Sequence, residues 1–148
     1  MDISNLLIKE NSILNLNTTN KLDAFTQLSS NLLNNNCINN QEKYISALLK
    51  REKEFSTNIG FGIAIPHAKD TSVNKASIAI GTFTNGLDYE DGEAPVKLMF
   101  LLAVPTENDN LHLEILKRLS RKIIDANFRE SLLSANSVDN IFKIMETI

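Results

Sequence analysis

The spacing of hydrophobic residues changes period along this chain, and the order of those periods constrains the fold more than any single residue does. Ser12 to Leu16 alternates as a first strand. Leu22, Phe25, Leu28, Leu32 and Leu33 then recur at helical spacing from a Thr18/Thr19 cap, and Asn40 through Glu54 reads as a second helix with Tyr44, Ile45, Leu48 and Leu49 inward. Short runs rich in β-formers follow at Ile63 to Ile65, Ser77 to Phe83 and Val96 to Val104, with Asn85-Gly86 and Asp91-Gly92 marking turns. From Asn110 the helical spacing returns, placing Leu113, Leu116, Leu119 or Ser120, and Ile123 on one face, and shorter helices near 127–133 and 138–147 finish the chain. The asparagines at 34–36 and 39–40 fit a helix C-terminus and the next N-cap, since Asn tolerates left-handed backbone and caps well. Helices, then strands, then helices predict an α/β layered domain with its sheet covered on more than one face.

No repeat or Gly/Ser/Pro-rich linker divides the 148 residues, so a single domain is expected over 1–148. With 43% hydrophobic and 22% charged residues, and no apolar run of eighteen, the chain reads as a soluble globular protein. A formal charge of -3 gives no broad cationic surface, which argues against nucleic acid as a ligand. The start, Met1-Asp2-Ile3-Ser4-Asn5, lacks a basic n-region, so the cytoplasm is the expected location. Cys37 is the single cysteine, which leaves no internal disulfide, CxxC pair or Cys-based zinc cluster; it reads as a half-buried structural thiol.

Chemistry concentrates between Arg51 and His67. Histidine is the one side chain whose unperturbed charge changes between about pH 5 and 8, and the chain has two, His67 and His112. Pro66 fixes φ and removes an N–H, so His67 is delivered to a strand end with little freedom to swing. Upstream, Ser56 and Thr57 supply hydroxyls, and Gly60 and Gly62 allow close approach of main chain to an anion. Arg51 sits at a helix C-terminus, where it is either a dipole-favoured terminal charge or a planar fork for phosphate oxygens. His67 is likewise either a strand-end histidine bonded to a carbonyl or a reactive imidazole, and His112 packs an edge on the core at the start of its helix. Lys117, Arg118, Arg121 and Lys122 form a basic strip read as a solvated face, with Glu114 matched to Arg118 at i+4. No phosphate-loop motif, third fingerprint glycine, HExxH or nucleophile elbow is present, which removes support for nucleotide, zinc or serine-hydrolase chemistry.

Taken as a unit, Arg51-Glu52, Ser56-Thr57 and Gly60-x-Gly62-Ile63-Ala64-Ile65-Pro66-His67-Ala68-Lys69 closely resemble the active-site signature of enzyme IIA domains of the sugar phosphotransferase system, fructose/mannitol type. Val96 to Pro105 is similar to that family's strand before a loop, His112-Leu113-Glu114-Ile115-Leu116 to the helix with its second histidine, and Gly86-Leu87-Asp88-Tyr89 to its intervening segment. Phe61 departs from the signature, standing where several relatives carry a glutamate. The resemblance implies an α/β sandwich with a mixed sheet flanked by helices on both faces. It also implies that His67 takes a phosphoryl group on Nε2, that Arg51 stabilises it, and that His112 is the second active-site imidazole. Loop N–H groups around Ser56, Thr57, Gly60 and Gly62 would assist, with no cofactor or metal. The implied donor is a small histidine phosphocarrier protein and the implied acceptor a cysteine of a IIB component, with membrane association only through a IIC permease partner, for fructose-type sugar uptake. A nitrogen-related regulatory IIA protein, which docks on partners according to its phosphorylation state, carries a similar signature. An anion-binding domain without turnover is a third reading of the same loop donors.

Overall fold

A computed structural model describes residues 3–18, 20–107 and 110–148. Its centre is strand β5, Val96–Val104, which is buried at every position but Lys97. A continuous apolar run suits a strand covered on both faces. Along one edge β4, Ser77–Leu87, pairs antiparallel from Ser77↔Ala103 to Thr82↔Leu98. Along the other edge β2, Ile63–Ala64, and β3, His67–Lys69, both pair parallel with β5, at Ile63↔Leu98 and His67↔Leu102. They are two pieces of one edge broken at Ile65-Pro66, where proline has no N–H for the ladder. β1, Asn58–Gly60, closes that edge antiparallel to β2, giving a mixed five-stranded sheet.

Alternation along β5 sorts the core into two layers. Met99, Leu101 and Ala103 face helices α1, Lys21–Asn34, and α2, Gln41–Glu54, meeting Phe25, Leu28, Leu32, Tyr44 and Leu48. Leu98, Phe100 and Leu102 face the C-terminal helices α3, Leu111–Ile123, α4, Ala126–Ser134, and α5, Val138–Met145, through Ile115, Leu119, Ile123, Leu132, Ile141 and Met145. The α1/α2 layer sits close to the sheet because the strands present small residues to it: a Cβ on Gly81 would lie 3.1 Å from Leu28 Cδ1. Tyr44 crosses this layer and donates its hydroxyl to the Leu102 carbonyl at 2.8 Å, fastening α2 to the β5 residue that opposes His67. The expected α/β sandwich, with helices on both faces of a mixed sheet, is therefore present.

Several local expectations need correction. Ser12 to Leu16 is no strand: only Ile13 bridges to Gly81, because Asn15 adopts φ 53 and turns the chain out of extended conformation. Two 3₁₀ turns, Ile3–Leu6 and Lys9–Asn11, precede it. Thr19 lies outside the described residues, and the cap of α1 is Asn20, whose side chain accepts from Asp23 N–H at 2.8 Å. The buried stripe of α1 runs through Phe25, Leu28 and Leu32, so the flanking Leu22 and Leu33 stay exposed. In α3 the stripe is Ile115, Leu119 and Ile123; Leu113, two residues before Ile115, falls on the opposite side and is exposed. Asn85-Gly86 does not end a strand but sits within β4, where the register shifts between Thr82 and Leu87. Cys37 is fully buried rather than half-buried, with the Asn11 amide donating to its sulfur at 3.5 Å.

Candidate active site

His67 opens β3, immediately after the break in the sheet edge, and is 7% exposed. Its Nδ1 lies 2.9 Å from the Ile65 carbonyl, which can only accept, so Nδ1 carries the proton. Its Nε2 accepts from Arg51 Nε–H at 3.2 Å. The two contacts select one neutral tautomer with the Nε2 lone pair turned away from the sheet. Burial lowers the His67 pKa from its ordinary value; the Ile65 carbonyl and Glu52 oppose the shift, while Arg51 and His112 add to it. An imidazole held below its usual range is uncharged at neutral pH and available as a nucleophile.

Arg51 comes from the last turn of α2, where Nη1 also donates to the Phe55 carbonyl at 2.7 Å. That second bond splints the guanidinium against the helix end, and Nη2 has no partner among the described residues. From the far side of the sheet edge comes His112, in the first turn of α3, with its ring 6.2 Å from that of His67 at an interplanar angle of 27°. Among the described residues its buried Nδ1 has no hydrogen-bond partner, the kind of orphan an incoming oxygen can satisfy. Burial lowers the His112 pKa as well, with Lys69 adding to the shift. Between these groups lies a cavity of about 410 Å³ lined by Ala47, Lys50, Arg51, Glu54, His67, Ala68, Lys69, Asp70 and His112. It is roomy and polar enough for a tetrahedral anion, with cations and imidazoles converging on it.

Arg51, His67 and His112, from three separate elements, thus meet in one cavity, and the other four candidates lie elsewhere. Gly60 and Gly62 flank Phe61 in the β1–β2 turn, where all three have positive φ, and the Gly62 carbonyl accepts from Lys97 and Leu98 N–H at 2.7 and 3.0 Å. His67 opposes Leu102, four residues further along β5, so the turn is roughly 13 Å away at about 3.3 Å per residue. Phe61 is exposed there under the Arg129 guanidinium, 4.0 Å from ring centroid to Cζ. Ser56 donates to Asp91 at 2.7 Å, and Thr57 is buried against Glu52 and Tyr89. Lys50, Glu54 and Asp70, which also line the cavity, were not named as site residues from the sequence. Position on the exposed face of α2, one residue before and three after Arg51, would have pointed to the first two.

The family described as "Phosphoenolpyruvate-dependent sugar phosphotransferase system, EIIA 2" matches residues 5–148. The fructose-specific EIIABC component of the phosphotransferase system of Bacillus subtilis (strain 168) is 40% identical over 147 residues, covering 98% of this chain and 23% of that protein. The chain thus spans less than two thirds of that relative's length. Nitrogen regulatory protein IIA-Ntr from Neisseria meningitidis superposes with a TM-score of 0.87 at 28% identity, over 97% of this chain and 98% of the other. The mannitol enzyme IIA of Escherichia coli, in its complex with phosphorylated enzyme IIB, shares the fold with a TM-score of 0.78 at 23% identity, over 97% and 100%. The chain belongs to the EIIA 2 family of the phosphoenolpyruvate-dependent sugar phosphotransferase system.

Proposed function

We propose that His67 is the phosphoryl acceptor of a single IIA domain working in the cytoplasm, charged by a histidine phosphocarrier protein and discharged onto a cysteine of a IIB component. The observation that carries this is the tautomer: Nδ1–H committed to the Ile65 carbonyl leaves Nε2, facing Arg51, as the one nucleophilic atom. The Nε2 lone pair attacks phosphorus, the P–N bond to the donor imidazole breaks, and the donor leaves with that electron pair. Arg51 gives up Nε2 and turns its fork to the phosphoryl oxygens, with His112 Nδ1, which has no partner among the described residues, as a further contact. In the second step a IIB thiolate attacks phosphorus and the bond to Nε2 breaks. Neither step requires a metal or cofactor. No direct phosphate contact is proposed for Ser56, Thr57, Gly60 or Gly62, given their placement. The Bacillus relative, named for fructose, supports fructose-type uptake with a IIC permease as the membrane partner; among the described residues no helix is long and apolar enough to cross a membrane.

Incubation with the phosphocarrier, enzyme I and phosphoenolpyruvate is expected to place an acid-labile phosphate on the wild-type chain and none on His67→Ala. Normal labelling of His67→Ala would sink the assignment. A regulatory role is the second reading, favoured by the close superposition on IIA-Ntr. It predicts that the phosphorylated protein leaves IIB unlabelled while its binding to another protein changes with phosphorylation.

A further inference from the structure

We propose that Glu52 is a positioning residue for phosphoryl transfer, holding the His67 imidazole in its reactive tautomer through Thr57 and Ile65. This rests on His67 being the acceptor. The Glu52 side chain is 4% exposed, unusual for a carboxylate, and it is satisfied on several sides. It accepts from Thr57 N–H at 3.3 Å, from the Thr57 hydroxyl, and from the Tyr89 hydroxyl at 2.9 Å; Lys21 Nζ lies 3.7 Å away. Lys21 also sits over the Tyr89 ring, 4.7 Å from its centroid, which closes the outer side of the cluster.

Thr57, pinned in this way, presents its carbonyl to Ile65 N–H at 3.0 Å. The Ile65 carbonyl in turn receives Nδ1–H of His67 at 2.9 Å, across the rigid Pro66. Arg51 and Glu52, adjacent on α2, therefore reach opposite sides of one ring: Arg51 touches Nε2 directly, and Glu52 holds Thr57, whose carbonyl bonds the N–H of the residue that binds Nδ1. When phosphorus bonds to Nε2 while Nδ1 keeps its proton, the ring gains positive charge. The Glu52 charge favours such a ring, acting to raise the His67 pKa.

Glu52→Gln, Thr57→Val and Thr57→Ser would be compared by ¹⁵N NMR of the histidine rings in the unphosphorylated protein and by transfer rate from the phosphocarrier. Lys50, Arg51, Glu54, Lys69, Asp70 and His112, the other titratable groups facing the ring, stay unchanged. Glu52→Gln is expected to mix the two His67 tautomers, to shift its titration to lower pH, and to slow transfer about tenfold with little change in the donor KM. Thr57→Val should reproduce the tautomer change and Thr57→Ser restore the wild-type pattern. A folded Glu52→Gln with wild-type ring signals, or with wild-type transfer rate, overturns the proposal. If that variant unfolds, wild-type ring signals in Thr57→Val overturn it instead. Absence of phosphate on wild-type His67 would sink the functional reading alone, since the ring spectra need no phosphoryl group.

Discussion

Replacing Arg51 separates two things the guanidinium supplies, charge and a fixed fork. In the resting protein it bridges Nε2 of His67 at 3.2 Å and the Phe55 carbonyl at 2.7 Å, so it is already aimed where the proposed transfer would bring phosphoryl oxygens. A unit charge about 4 Å from one negative charge, at an effective dielectric of about 20, contributes about 4 kcal/mol. The cavity is open to solvent, which cuts that to about 2–3 kcal/mol, or about 10²-fold in rate, the scale seen when one oriented donor is removed from a transition state. Arg51→Ala should therefore lose about 10²-fold in phosphorylation by the carrier. Arg51→Lys keeps a charge but cannot span both acceptors, so it should recover only about tenfold of that loss. Arg51→Ala should also raise the His67 pKa, because the arginine charge disfavours a charged ring. Rapid-quench phosphorylation and histidine NMR titration read the two effects. If Arg51→Lys matched the wild type, or Arg51→Ala lost under about threefold, the fork would have no part in the chemistry.

Stability should depend on pH through the same two rings. Both histidines have lowered pKa in the folded state, so below the unfolded value of about 6.5 the unfolded chain binds more protons and stability rises with pH. The contribution is complete above pH 6.5 and is lost on acidification; urea midpoints between pH 5 and 7 should show this slope, and His67→Asn with His112→Asn should flatten it. An unchanged slope in the double variant would place the pH sensitivity in other groups. Tyr44→Phe removes the buried bond to the Leu102 carbonyl and should cost about 1–2 kcal/mol by denaturant titration. A loss below about 0.3 kcal/mol would mean that α2 is held by packing alone.

What the residues disclosed before folding divides by range. β5 and the helices were legible because eight buried apolar positions in nine residues, or a stripe such as Ile115, Leu119 and Ile123, leave a signal that survives small errors of phase. β1, β2 and β3 span two or three residues each and carry no period, yet the break between β2 and β3 is what delivers His67. Pro66 signalled it, since a residue without an N–H must interrupt a ladder somewhere. Proximity in sequence misled at Gly60 and Gly62, where an extended chain carries each residue about 3.3 Å further from the histidine. Distance in sequence separates the other partners: His112, expected beside His67 only from the family resemblance, meets it because α3 begins near that strand end, and Tyr89 reaches Glu52 across 37 positions. The residues that line the cavity as candidates, Arg51, His67 and His112, could be picked out one by one from their chemistry. The carboxylate proposed to hold the ring's tautomer could not, because Glu52 in the sequence is one charge among five in a polar helix end, and only its side-chain burial distinguishes it from Lys53 and Glu54.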